Sequence, residues 1–329
     1  MTPPEDGPSV SALIDNFNYA RYLGAALESA LEQSYPLKEI VVADDGSTDD
    51  SCQVAERYAA QDGRIRLVRK QNGGQASAFN AAFAASTGDI VCLLDSDDVW
   101  WPGKVARMVE IFSSAPQALW VRHRLRNTDH ALRPLGTVVP ATNGPRGPAR
   151  SRYHHLEKTV TFSTSTVCFR RGLAERLFPI PEAAFRHGPD LYLDFMCGVR
   201  GAPGYALDEE LGFYRRHPAQ MSARGGDFAA VMDGEIALTR AFLSVEPCQG
   251  YIPTHVYKHE MIASYLRSGR VFDQGRLRLC AAGLASVGRL AREAGASLAL
   301  LQAAKLTYGL LLPRRWIKRQ LKQKGWATT

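Results

Sequence analysis

An α/β fold built on a doubly wound, mostly parallel sheet, followed by a helical C-terminal region, is what this sequence predicts. Three observations predict it. Short β-forming runs alternate with helix-period stretches over about the first 120 residues. Acidic residues gather just after those runs, and from about Gly225 onward the apolar spacing is helical throughout.

The elements follow in order. Ser9–Ile14 is an extended apolar run. Asn18 is placed to cap a helix whose Tyr19, Tyr22, Leu23, Ala26, Leu27, Ala30 and Leu31 share one face, ending before Pro36. Glu39–Ala43 is a second strand that runs into the acidic turn DDGSTDD, and a polar-faced helix continues to about Gln61. Arg64–Val68 is a third strand, Gln75–Ser86 a small-residue helix, and Asp89–Leu94 a fourth strand entering LLDSDDVW. Pro102 suits a first helical turn, opening a helix to about Ser114, and Ala118–Arg122 is a fifth strand. From Arg124 to Lys158 four prolines and three glycines mark an irregular connection. Thr159–Phe169 is extended again, Asp190–Cys197 is helical, and Leu207–Tyr214 completes this part. Gly73–Gly74 reads as a turn, and Trp100 and Trp101 as packing at the rim.

Length and charge narrow the function. A chain of 329 residues holds one large core, or one core with a smaller appended domain. The expected division is 1–225 and 226–329. The net charge of +7 lies in the tail: seven basic and no acidic residues follow Gly295, and without them 33 basic face 33 acidic residues. That distribution argues against a nucleic-acid-binding surface. Six scattered cysteines without a Cys-x-x-Cys pair, and an acidic, proline-rich start without an apolar block, predict a reduced, cytoplasmic protein.

Chemistry concentrates at Asp95, Asp97 and Asp98, three carboxylates in four residues. Two like charges about 4 Å apart repel by roughly 4 kcal/mol at an effective dielectric near 20. A helix N-cap uses one carboxylate; a cluster of three calls for a divalent cation, Mg²⁺ or Mn²⁺, whose remaining ligands are phosphate and water. In a doubly wound sheet ligands sit beyond the carboxyl ends of the strands. Asp15, Asp44, Asp45, Asp95, Asp97 and Asp98 all fall there. Neither a Gly-x-Gly-x-x-Gly turn after the first strand nor a Gly-Lys-Ser/Thr loop occurs, so a metal must neutralise any phosphate bound here.

The ordered set VSALIDNFNYARYL, SALEQSYPLKEIVVADDGSTDDS and NGGQASAFNAAFAASTGDIVCLLDSDDVWWPGKV resembles the family-two, inverting glycosyltransferases of GT-A fold. The likeness covers about 110 residues and resumes at GPDLYLDF and LDEELGFYRRHPAQMS. It implies the following roles. Asp15 and Asp45 lie against the nucleotide base and ribose, Asp45 accepting a uracil N–H. Asp95 and Asp97 are the Asp-x-Asp pair, with Asp97 the direct ligand to Mn²⁺ or Mg²⁺ and Asp98 a third carboxylate that a one-residue shift of alignment puts in its place. His217 reaches the same metal or the diphosphate. Asp190 is the general base, with Asp194 as fallback one helical turn on; Pro189 departs from the acidic or small residue usual before that base. Phe162–Thr166 falls at the acceptor wall.

The implied reaction moves a sugar, from a UDP-sugar in the favoured case, to a hydroxyl of a glycan or lipid-linked acceptor, in cell-envelope polysaccharide or glycan synthesis. A metal-dependent nucleotidyltransferase and a non-catalytic sugar-nucleotide or glycan-binding module are the alternatives. Residues 313–326, basic with interspersed Trp316, Ile317, Leu321 and Trp326, suit a helix lying on the inner face of a membrane.

Overall fold

The computed structural model describes residues 7–140, 147–148, 162–183, 185–220 and 281–284. The chain divides into two compact units, the first formed by residues 1–155 and 159–216, the second by 156–158 and 217–329. The break falls after Arg216, nine residues before the boundary expected from sequence. In the second unit the described residues 281–284 are helical; the basic segment 313–326 lies outside the described residues. No helix among the described residues is long and apolar enough to cross a membrane.

The first unit begins with β1 (Val10–Asn16), α1 (Ala20–Leu31), β2 (Glu39–Asp44), α2 (Ser51–Ala59), β3 (Ile65–Arg69), α3 (Gln75–Ala84) and β4 (Ile90–Asp95). These strands lie in the order β3-β2-β1-β4, every neighbouring pair parallel. Their near-continuous apolar sequence follows from burial on both faces. The interior packs Val10, Ala12 and Ile14 of β1 and Ile40 and Val42 of β2 against Leu23, Ala26 and Leu27 of α1.

After β5 (Val99–Trp100) and α4 (Lys104–Ser114), the chain forms β6 (Trp120–Thr128), β7 (Pro134–Val139) and β8 (Gly147–Pro148). A 3₁₀ turn at Thr164–Thr166 enters β9 (Val167–Arg170), then α5 (Arg171–Leu177), α6 (Pro189–Val199) and β10 (Gly204–Arg215). Strand β9 is antiparallel to both β4 and β6, and β10 is parallel to β6. The carboxyl ends of β1, β2, β4, β6 and β10 therefore share one edge of the sheet.

Three expectations need correction. The irregular connection does not begin at Arg124: β6 continues to Thr128 and pairs with β7, Leu125 opposite Val139. A hairpin carries no long apolar run when one of its strands is exposed, which hid it from periodicity; Pro134–Thr137 of β7 are exposed. Pro102 sits two residues before α4 rather than in its first turn. Asn18 does not cap α1. It takes φ +56° and its Oδ1 accepts the Thr48 N–H at 2.7 Å, while the Asp49 carboxylate accepts the Ala20 N–H at 3.0 Å. The β1 and β2 turns thus satisfy each other's backbone across the edge.

Candidate functional site

Register places the first two acids. Asp15 of β1 is paired with Asp95 of β4, so two carboxylates stand side by side where both strands end. The chain then turns, and Asp95, Asp97 and Asp98 each present an oxygen within 4.8 Å of the others. Burial, followed by the repulsion of Asp97, pushes the Asp95 carboxyl up to about 8, with Asp190 adding to it. Burial and then Asp95 hold Asp15 well above the usual carboxylate range. Its Oδ1 is buried without a hydrogen-bond donor among the described residues. Gln75, from the start of α3, donates to Asp95 Oδ1 at 2.9 Å.

Asp98 is built in differently from its neighbours. It is fully buried, and both its oxygens accept hydrogen bonds, Oδ2 from Ser165 Oγ at 2.6 Å and Oδ1 from the Arg215 N–H at 3.0 Å. Burial, then Asp97, raises its carboxyl well above the usual range. Ser165 also accepts the Asp95 N–H at 3.0 Å, and its carbonyl takes the Trp100 indole N–H at 2.9 Å. Arg215 completes the bracket: its Nε donates to the Asp97 carbonyl at 2.8 Å and its guanidinium lies 4.8 Å over the Tyr22 ring. The Asp97 peptide is therefore held from behind by a buried arginine.

A hard divalent cation fits this donor set. Three carboxylates with oxygens within 4.8 Å of one another, plus a buried Asp15 oxygen with no donor among the described residues, form an oxygen-rich cluster whose charge a cation would neutralise.

The second acidic turn is tied internally. Asp44 accepts from Asn16 Nδ2 at 2.8 Å and the Ser47 N–H at 2.9 Å. Burial would raise it, but the Ser47 contacts and Asn16 outweigh burial and hold it below the usual range. Asp45, also buried, accepts from Lys70 Nζ at 2.7 Å and from the N–H groups of Gly73 and Gly74 at 2.9 and 2.7 Å. Gly73–Gly74 is thus more than a turn. Gly74 has φ +93°, and a Cβ there would lie 2.5 Å from the Arg186 carbonyl oxygen.

Asp190 lies in the first turn of α6, close enough to raise Asp95. Asp194, one turn on, is buried; burial lowers Arg122 of β6 to about 10, with the Asp194 charge opposing the shift. His217 is the first residue of the second unit after Arg216. Phe162–Thr166 is buried, with Phe162 set edge-on to Trp120 and Phe169. Trp100 is buried and Trp101 packs edge-on against Phe213, which makes both rim packing. Sequence reasoning missed Gln75, Lys70, Ser165 and Arg215. Their sequence signals were indirect: Arg215 stands in YRRH, Ser165 in Phe162–Thr166 and Gln75 in NGGQAS.

A sheet of this order with a carboxylate bracket at its strand ends defines a GT-A-type nucleotide-sugar fold. Solved structures agree on the fold. Staphylococcus aureus TarS 1-349 in complex with UDP-GlcNAc aligns with a TM-score of 0.59 at 15% identity, over 98% of this chain and 93% of TarS. A mannosyltransferase of Pyrobaculum calidifontis, in complex with GDP-Man and Mn²⁺, aligns with a TM-score of 0.50 at 20% identity, over 99% of this chain and 86% of that one.

The family profile described as Glycosyl transferase family 2 matches residues 11–178, and the chain belongs to that family. An uncharacterised glycosyltransferase of Nostoc sp. is 36% identical over 214 residues, 64% of this chain and 65% of its own length. TuaG of Bacillus subtilis, whose name assigns it to teichuronic acid biosynthesis, is 36% identical over 63% of this chain and 79% of its own length. The chondroitin synthase of Pasteurella multocida is 34% identical over 46% of this chain and 16% of its own length. The chain thus spans less than two thirds of the Nostoc protein and a sixth of the synthase.

Proposed function

We propose that the chain is an inverting glycosyltransferase that moves a sugar from a nucleotide diphosphate, a UDP-sugar in the favoured case, to a hydroxyl of a polysaccharide acceptor. The observation that carries this reading is the cluster Asp95, Asp97 and Asp98, with Asp190 within its electrostatic reach. Family membership supports the transfer of a sugar. The UDP-GlcNAc bound by TarS supports the donor class, the Mn²⁺ bound by the mannosyltransferase supports the metal, and the TuaG and chondroitin synthase likenesses support a polysaccharide product.

Asp97 is the proposed metal ligand, aided by Asp95. Asp98, with both oxygens taken, holds the turn. When bound, the cation supplies Lewis-acid neutralisation of the diphosphate. Asp15 and Asp45 flank the nucleoside, Asp45 setting the Gly73–Gly74 edge. Asp190 accepts the proton of the acceptor hydroxyl as that oxygen bonds to the anomeric carbon. In the same step the bond from that carbon to the diphosphate breaks, its electron pair leaving with the phosphate oxygen, so the single displacement inverts the centre. A base of this kind contributes about 10²–10⁴-fold in rate.

The two carboxylates should therefore fail in different ways. Titration calorimetry of UDP with Mn²⁺ is expected to show binding lost in Asp97→Ala and kept in Asp190→Asn, whose turnover falls by about 10²–10⁴. Equal loss of binding in both variants removes Asp190 from the role of base.

A further inference from the structure

Beneath the carboxylate bracket lies a second cluster that the proposed chemistry does not use. Lys104, at the start of α4, is fully buried, yet none of its partners among the described residues is a carboxylate. Its Nζ lies 3.1 Å from Cys168 Sγ and 3.6 Å from the centre of the Trp100 ring. A buried ammonium needs a compensating charge, and the thiol of Cys168 is the group beside it that can carry one. Burial would raise that thiol, but a hydrogen bond from Cys92 and then the Lys104 charge outweigh burial and lower it to about 7. Burial and the Cys168 contact push Cys92 the other way, so it stays a thiol.

The strands set the two sulfurs face to face. Cys92 of β4 is paired directly with Cys168 of β9. The Arg171 N–H donates to the Asp89 carbonyl at 2.8 Å, which makes 89/171 a hydrogen-bonded pair. Three steps along an alternating ladder, 92/168 is a non-hydrogen-bonded pair, whose Cα atoms stand about 4.5 Å apart with side chains close. That spacing lies within the range a disulfide accepts.

The geometry points to Cys92 and Cys168 as a peroxide-responsive pair that closes a cross-strand disulfide, with Lys104 as the residue that activates Cys168. The Cys168 thiolate attacks one oxygen of hydrogen peroxide, the O–O bond breaks, hydroxide leaves, and Cys168 becomes a sulfenic acid. The Cys92 sulfur then attacks the Cys168 sulfur, and the sulfenic oxygen departs as water with the Cys92 proton. Overall two thiols and one peroxide give one disulfide and two waters. Peroxide is scarcely larger than water, and local opening of the kind amide exchange reports admits it. The bond lies three residues below both Asp95 and Ser165, on the two strands that carry the bracket. The inference is independent of the proposed sugar transfer.

Peptide mapping of the reduced full chain, exposed to hydrogen peroxide and alkylated after unfolding, tests it. The expected product is a Cys92–Cys168-linked peptide two hydrogens lighter, reversed by dithiothreitol, with Cys52, Cys197, Cys248 and Cys280 still alkylated. It forms faster in the native chain than in urea. Lys104→Met slows it about tenfold, because the cation beside the sulfur is gone, and Cys92→Ser leaves a sulfenic acid on Cys168 that dimedone traps. Full alkylation of Cys92 and Cys168 in the native, peroxide-treated chain overturns the proposal. So does a Lys104–Cys168 link carrying an inserted oxygen, or a rate no higher folded than unfolded. The native mapping needs no variant.

Discussion

Replacing Asp98 by alanine separates a scaffold carboxylate from a metal ligand. The change strips the acceptor from two buried donors, the Ser165 hydroxyl and the Arg215 N–H. Each donor left without a partner costs about 1–3 kcal/mol, giving about 2–6 kcal/mol together. Little is recovered from relieved repulsion, because burial and Asp97 already hold the Asp98 carboxyl well above its usual range. For a unit of this size about 1 kcal/mol shifts the melting temperature by roughly 2–4 °C, so a fall of about 4–24 °C is expected. Differential scanning fluorimetry in EDTA reads this without any metal. Asp98→Asn keeps one acceptor oxygen and should lose about half as much. Asp97→Ala keeps the carbonyl that Arg215 binds and removes the charge that raises Asp15, Asp95 and Asp98. It should melt within about 3 °C of the parent in EDTA, but no longer be stabilised by Mn²⁺. An Asp98→Ala protein as stable as the parent in EDTA, yet unresponsive to Mn²⁺, would refute the scaffold assignment and make Asp98 the ligand.

Three further outcomes follow from the same geometry. Asp15, Asp95 and Asp98 all have folded-state carboxyls raised above their unfolded values, Asp95 to about 8. Their contribution is intact below about pH 4 and is lost as pH rises toward 8, since the unfolded chain releases these protons first. Melting temperatures in EDTA should fall across that window and flatten with saturating Mg²⁺; a flat profile in EDTA would contradict the clustered acids. Gly74→Ala must place a Cβ 2.5 Å from the Arg186 carbonyl at φ +93°, so chemical denaturation should show a loss of at least about 1–2 kcal/mol, together with a raised KM for the donor. Asn18→Ala gives up a residue tolerant of φ +56° and the acceptor of the Thr48 N–H. A loss of about 1–3 kcal/mol is expected by the same measurement, and an unchanged midpoint would mean that the two turns do not brace each other.

Much of this site follows from the one-dimensional chain, because strand ends in a parallel sheet are a place that sequence can name. Alternating β and α runs locate the ends of β1, β2 and β4, and the acids written there must meet at one edge. That reasoning reaches Asp15, Asp45, Asp95, Asp97 and Asp98 without coordinates. It places Asp190 near them only through family likeness, since α6 follows a loop with no periodic signal.

What tertiary structure alone decided is how these similar carboxylates differ. Asp97 and Asp98 are adjacent, and local pattern treats them alike. Their surroundings differ because Ser165, 67 residues away, and the N–H of Arg215, 117 residues away, bond the Asp98 carboxylate, whereas Arg215 Nε reaches Asp97 only at its backbone carbonyl. The same holds for Asp45, whose three donors come from the stretch after β3, and for Lys104, whose position in α4 says nothing of a thiol on β9. Sequence determines which chemistry gathers at an edge, because secondary structure and strand direction are local properties. Burial and hydrogen-bond supply arise from segments distant in the chain, and they determine which of the gathered groups is left to act.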